Sequence, residues 1–146
     1  MNLLQRVEHW GDAHHPQWID IGRLALGVFL VFKGIQLMEN MATLQVKISN
    51  FLSFDSFILI VLTHYVAFAH ILGGFCLAIG LLTRFACLIQ IPTLLGAIFI
   101  NAPDGLWQPF SELTLAIVVL LALVYFLIVG SGRWSFDWLI NERKIR

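Results

Sequence analysis

SFILIVLTHYVAFAHILGGFCLAIGLLTRFACLIQIPTLLGAIFIN, residues 56–101, carries one charged side chain, Arg84, between two apolar runs of membrane-spanning length. A helix needs about 20 mostly apolar residues to cross the hydrocarbon core of a bilayer, and no formal charge falls between Asp55 and Arg84. The stretch therefore reads as two spanning helices. With only Thr83 and Arg84 as a hydrophilic break, they form an antiparallel hairpin closed by a short turn. His64 and His70 lie inside the first of them, and an ionisable group in a membrane helix marks a candidate site by default.

The rest of the chain agrees with that reading. Of its 146 residues 59% are hydrophobic and only 12% are charged, against about 25% charged in soluble domains. The fold class that follows is all-α: a single-domain polytopic membrane protein, an antiparallel four-helix transmembrane bundle with short interfacial helices. The spans fall at about 18–38, 56–82, 85–101 and 112–130. Formal net charge is zero and no basic patch with interleaved aromatics occurs, which excludes a nucleic-acid partner.

Upstream, Leu3, Leu4, Val7 and Trp10 stand at helical spacing before the breakers Gly11 and Pro16, so residues 1–17 read as an amphipathic piece on the membrane surface. They lack the apolar core and cleavage site of a signal peptide, and the first spanning helix is expected to direct insertion. His9, His14 and His15 lack a carboxylate or thiol at ligand spacing, so no metal site is expected. In the first span, Arg23, Gly27, Leu30, Gly34 and Leu37 share one stripe, with Lys33 on its flank. The glycines on that stripe allow close helix approach. Arg23, near one end, is expected to snorkel to the interface, as is Arg84. Residues 41–53 place Met41, Leu44, Ile48, Phe51 and Leu52 opposite Gln45, Lys47 and Asn50, which is the pattern of a helix lying in the interface.

The second span sets Thr63, Ala67, His70, Gly74, Leu77 and Leu81 on one stripe, with His64 about 120° away. The third aligns Ala86, Gln90, Thr93, Ala97 and Asn101 and contains Pro92, which is expected to kink it. Ser111 is placed to cap the fourth helix, and Glu112 in its first turn suits the helix dipole. The two cysteines, Cys76 and Cys87, are not in a C-x-x-C spacing and read as inert thiols packed like small hydrophobes.

Charge asymmetry orients the chain. Arg6, Arg23, Arg84, Arg133, Arg143, Lys144 and Arg146 fall on one side and only Lys33 and Lys47 toward the other. Seven of nine basic residues on one side put both termini in the cytoplasm, with 39–55 and 102–111 outside. In an up-and-down bundle, Lys33, Gln36, Glu39, His64, Asn101 and Glu112 reach similar heights in the outer third, with His70 nearer the middle. This convergence is the candidate site. Lys33, His70 and Glu112 are the candidates for catalysis, and His64, His70, Asn101 and Gln36 the candidates for holding a cofactor. The competing reading is a structural network in which Lys33, bridged to Glu112 or Glu39, pins the bundle. The histidines, on different faces of one helix, do not form a haem pair, and no phosphate loop, nucleophile elbow or H-E-x-x-H motif is present.

RLALGVFLVFKG (23–34), HILGGFCLAIGLLTR (70–84), ELTLAIVVLLAL (112–123) and GSGRWSFD (130–137) together resemble the DoxX family of small four-helix bacterial membrane proteins. The resemblance implies an inner-membrane bundle and a role as a membrane subunit of a quinone-linked oxidoreductase, working beside other membrane or periplasmic redox proteins, with a quinone as cofactor. In much of that family the position three residues before the paired glycines is acidic; here it is His70. A function of another class stays open beside it: a non-enzymatic assembly partner, anchor or small-solute carrier with a structural polar core, alone or as a homo-oligomer.

Overall fold

The computed structural model describes residues 17–104 and 111–130. In chain order the helices are α1 (Gln17–Glu39), α2 (Met41–Phe51), α3 (Ser56–Ile79), α4 (Thr83–Asn101) and α5 (Glu112–Val129), with a 3-10 turn at Ala102–Asp104 after α4. All except α2 are long and apolar enough to cross a membrane. The chain is an all-α, multi-pass membrane protein. The N-terminal amphipathic piece and the basic C-terminal end predicted from sequence lie outside the described residues.

Two boundaries differ from the sequence reading. The second span stops at Ile79, not near 82, and the third starts at Thr83, not Phe85. The cause is Gly80, which takes φ +68°. Its N–H donates to the Leu77 carbonyl, and the Leu81 N–H donates to that of Cys76 at 2.9 Å. This paired 5→2 and 6→1 closure satisfies the last carbonyls of a helix and needs a residue tolerant of the left-handed region. Leu82 follows at φ 48°, so the turn closes in three residues. At the other end of the bundle Ser111 caps α5 as its sequence suggests, its Oγ accepting from Thr114 N–H at 3.1 Å.

Packing is pairwise. Helix α1 runs along α3, α4 runs along α5, and the α3–α4 hairpin joins the pairs. Where α1 crosses α3, Gly27 and Gly74 meet backbone to backbone: a Cβ on Gly27 would sit 2.4 Å from the Ala78 nitrogen, and one on Gly74 2.7 Å from the Gly27 oxygen. Lipid tails are as apolar as leucine, so helices in a bilayer associate through such close van der Waals contact. Leu30, Leu77, Cys87 and Leu123 are buried beside this crossing. Phe32, Phe57, Phe68, Phe85 and Leu121 point outward, as an outer face bathed in lipid requires. Helix α4 runs through Pro92; the ring has no N–H for the Leu88 carbonyl one turn back.

Arg23 corrects the sequence reading. It does not snorkel: it is 2% exposed, and its Nη1 lies 3.4 Å from Oδ1 of Asp20, also buried. The stripe that carries Gly27 and Gly34 into the bundle carries Arg23 with it. Arg84 is half-buried, and its Nη2 lies 3.4 Å from where a Cβ on Gly130 would sit.

Candidate functional site

Polar positions of all five helices meet at the end of the bundle that α2 covers. There they line a cavity of about 650 Å³, walled mostly by apolar side chains and containing Lys33, Gln36, Lys47, His70, Asn101 and Glu112. Each arrives for a local reason. Lys33 precedes Gly34, whose missing side chain lets α1 press on Ile71 and His70, so the lysine lies beside that contact. His70 is turned inward by the stripe containing Ala67 and Gly74, all three buried. Asn101 ends the buried stripe of α4, and Glu112 occupies the first turn of α5.

Of the two acidic partners the sequence offers Lys33, Glu112 takes it. Lys33 Nζ donates to Oε1 at 2.9 Å and to Oε2 at 3.1 Å. Lys33 remains partly and Glu112 largely accessible, so the pair sits at the cavity rim. Lys47 Nζ reaches Asn101 Oδ1 at 3.3 Å, and Asn101 Nδ2 donates back to the Ala97 carbonyl at 2.8 Å. The His70 Nδ1 lies 2.9 Å from the Val66 carbonyl oxygen. A carbonyl only accepts, so Nδ1 carries a proton and the neutral ring keeps Nε2 as an acceptor. The cavity thus combines two ammonium donors, an amide and an imidazole acceptor within apolar walls.

His64 is not brought to the site. It lies on the exposed side of α3, its Nδ1 2.8 Å from the Ile60 carbonyl, and it does not line the cavity. The two histidines are six positions apart, about 120° around the helix at 100° per residue, and cannot share a face. Glu39 is exposed and also lies outside this cavity. Sequence reasoning missed Lys47, Tyr65 and Thr93, which do line it. A signal for Lys47 existed: the apolar stripe of α2 needs a surface to cover, and Ile48 at its centre is buried at 2% exposure. The helix therefore packs over the bundle end, not against lipid alone, and carries Lys47 to the rim.

Behind His70, Gln90 is fully buried. Its Nε2 is 3.5 Å from the His70 carbonyl oxygen, its Oε1 has no hydrogen-bond partner among the described residues, and its amide occupies the space beside Gly73. Cys87 is buried and Cys76 half-buried, both as free thiols.

No curated protein and no solved structure shows significant similarity to the chain. The family model for DoxX matches residues 18–102, from the start of α1 through the end of α4. That span includes the glycine crossing, His70 and most of the cavity wall, and the chain belongs to the DoxX family.

Proposed function

We propose that this DoxX-family protein is the quinone-binding membrane subunit of a redox system, holding the quinone ring in the α2-covered cavity. The observation that carries the reading is the composition of that cavity: about 650 Å³ of largely apolar space with Lys33, Lys47, His70 and Asn101 in its wall. That is the usual make-up of a small-molecule site, in which a few polar groups orient a mostly apolar ligand. When bound, a quinone supplies a carrier of two electrons and two protons whose ring oxygens accept hydrogen bonds when oxidised and donate them when reduced. The donor set fits both states. Lys33 and Lys47 can donate to ring oxygens, and the His70 Nε2 can accept a hydrogen bond from a ring hydroxyl of the reduced form. Glu112, largely exposed and bonded to Lys33, links the cavity rim to solvent and can pass protons on. Electrons come from a partner protein at the membrane surface, two for each quinone reduced, and the two protons that reduction consumes enter from solvent past Glu112. In this proposal the bilayer is a bacterial inner membrane, both termini are cytoplasmic, and the cavity opens toward the outer side.

The test is direct. Full-length protein is purified, its bound lipids are extracted and assayed for quinone, and its melting temperature is measured with and without added quinone. A ligand that binds only the folded state raises that temperature by mass action. A protein that carries no quinone and whose melting ignores every quinone tested would overturn the proposal.

One observation favours the second reading, a non-enzymatic bundle with a structural polar core. The two-pronged Lys33–Glu112 contact joins α1 to α5, which otherwise touch little. On that reading the pair exists to pin the two helices.

A further inference from the structure

Resting on the quinone-site reading, we infer that the cavity continues into a channel between α3 and α4, floored by Gly96, through which an apolar tail attached to the ligand's polar head passes into the lipid.

The cavity wall is mixed. Beside the polar Lys33, His70, Asn101 and Glu112, it includes Leu62, Tyr65, Pro92, Gly96 and Phe99, all from α3 and α4 and none of them charged. Pro92, Gly96 and Phe99 recur at four and three residues and share one face of α4. Tyr65, Pro92 and Phe99 are exposed, so this side of the cavity opens onto the outer surface of the bundle. That surface lies within the spanning segments Ser56–Ile79 and Thr83–Asn101, where the surroundings are hydrocarbon.

Gly96 is what keeps the passage clear. A Cβ placed on it would meet no atom within 4 Å. Contrast Gly73, on the facing helix nearer the turn, where a Cβ would come 2.9 Å from Gln90. Helices α3 and α4 are thus in contact near their shared turn and leave room farther out. The Tyr65 hydroxyl, 3.4 Å from the Ile89 carbonyl oxygen, marks the edge where contact gives way to space. A tail-less polar molecule gains nothing from such a passage. A ring with an alkyl or isoprenoid chain can seat its head in the cavity while its chain stays in hydrocarbon through the passage, and it can enter without leaving the bilayer.

The experiment compares a dimethoxy-methyl-benzoquinone bearing a decyl chain with the same ring lacking the chain. Equilibrium binding is measured to the full-length protein in nanodiscs and corrected for partitioning into protein-free discs. The variants are Gly96→Phe, the smaller Gly96→Leu as a second plug, and Gly22→Phe as the control, because a Cβ on Gly22 also meets nothing within 4 Å and Gly22 does not line the cavity. Expected is a loss of about tenfold or more for the tailed ring with the Gly96 variants, because the chain must then be forced past a side chain that overfills the passage. The tail-less ring should bind them as it binds wild type, and Gly22→Phe should bind both rings normally. Equal effects on the two rings, no effect on either, or the same loss with Gly22→Phe overturns the channel while leaving the quinone site standing. A wild type that binds neither ring overturns both.

Discussion

The Lys33 ammonium and the Glu112 carboxylate, 79 positions apart in sequence, meet in a two-pronged contact at the rim of the cavity, with Nζ 2.9 Å from Oε1 and 3.1 Å from Oε2. Both side chains keep contact with the surroundings, so neither bears the full penalty of a buried charge. A pair of this kind contributes about 1 kcal/mol or less to stability. Its position matters more than its strength, because it sets a cation and a carboxylate at the entrance to a largely apolar site.

The first prediction separates the two readings of that pair. Lys33→Met combined with Glu112→Leu removes both charges, and the melting temperature should move by only a few degrees because the lost attraction and the relieved desolvation nearly cancel. Under the quinone proposal the folded double variant should nevertheless lose its co-extracted quinone. Quinone content that stays at the wild-type level in the double variant would favour the structural reading.

His70 gives a second test. His70→Phe keeps an aromatic ring of similar size but removes the Nε2 acceptor. The variant should fold and insert like wild type, while quinone-dependent activity in membranes falls by about 10²-fold or more, the usual weight of a general acid–base group. His64→Phe, on the exposed side of the same helix, should leave activity unchanged.

The glycine crossing predicts a stability order. Gly27→Ala or Gly74→Ala drives a methyl into backbone atoms at 2.4 to 2.8 Å, and overpacking of this kind costs about 1–3 kcal/mol or more. Gly22→Ala meets open space and should be neutral or stabilising by up to about 1 kcal/mol, since alanine is the better helix former. Thermal unfolding in one detergent ranks all three; a Gly27→Ala protein as stable as Gly22→Ala would contradict the packing described.

Arg23 and Asp20 supply a fourth. Both are buried, so Asp20→Ala leaves a guanidinium without its acidic neighbour and should cost about 3–5 kcal/mol. Arg23→Lys should also destabilise, because an ammonium is a stronger-hydrated point charge without the planar fork. Expression level and melting temperature of the two variants read this out, and a lysine variant that behaves as wild type would restore a snorkelling role.

Orientation can be checked by labelling. On a background lacking Cys76 and Cys87, a cysteine replacing the exposed Asn50 in α2 should react with a membrane-impermeant maleimide from outside intact cells. One replacing the exposed Leu82 in the α3–α4 turn should react only after permeabilisation. The reverse pattern would invert the topology inferred from the basic residues.

Length and hydropathy alone determined the four spans, because a bilayer imposes both the 20-residue requirement and the helix on any chain that crosses it. The buried stripes were legible for the same reason: Gly27, Gly34, His70, Gly74, Gln90 and Asn101 follow the helical period, and each faces a neighbour. Even the end of α3 at Gly80 was readable in principle, from a glycine three residues before the hydrophilic break.

Tertiary structure decided what the period cannot express. A stripe says that residues share a face, not which helix that face meets or how deeply, and so Arg23 is drawn into the bundle with the glycines beside it. The same holds for α2, whose apolar side could equally have met lipid; only its position over the bundle end buries Ile48 and brings Lys47 to Asn101. The cavity itself has no signature in any one segment. It is the space left where α3 and α4 lack contact beside Gly96 and where Lys33 reaches Glu112, and space between helices is fixed by how their surfaces fit together.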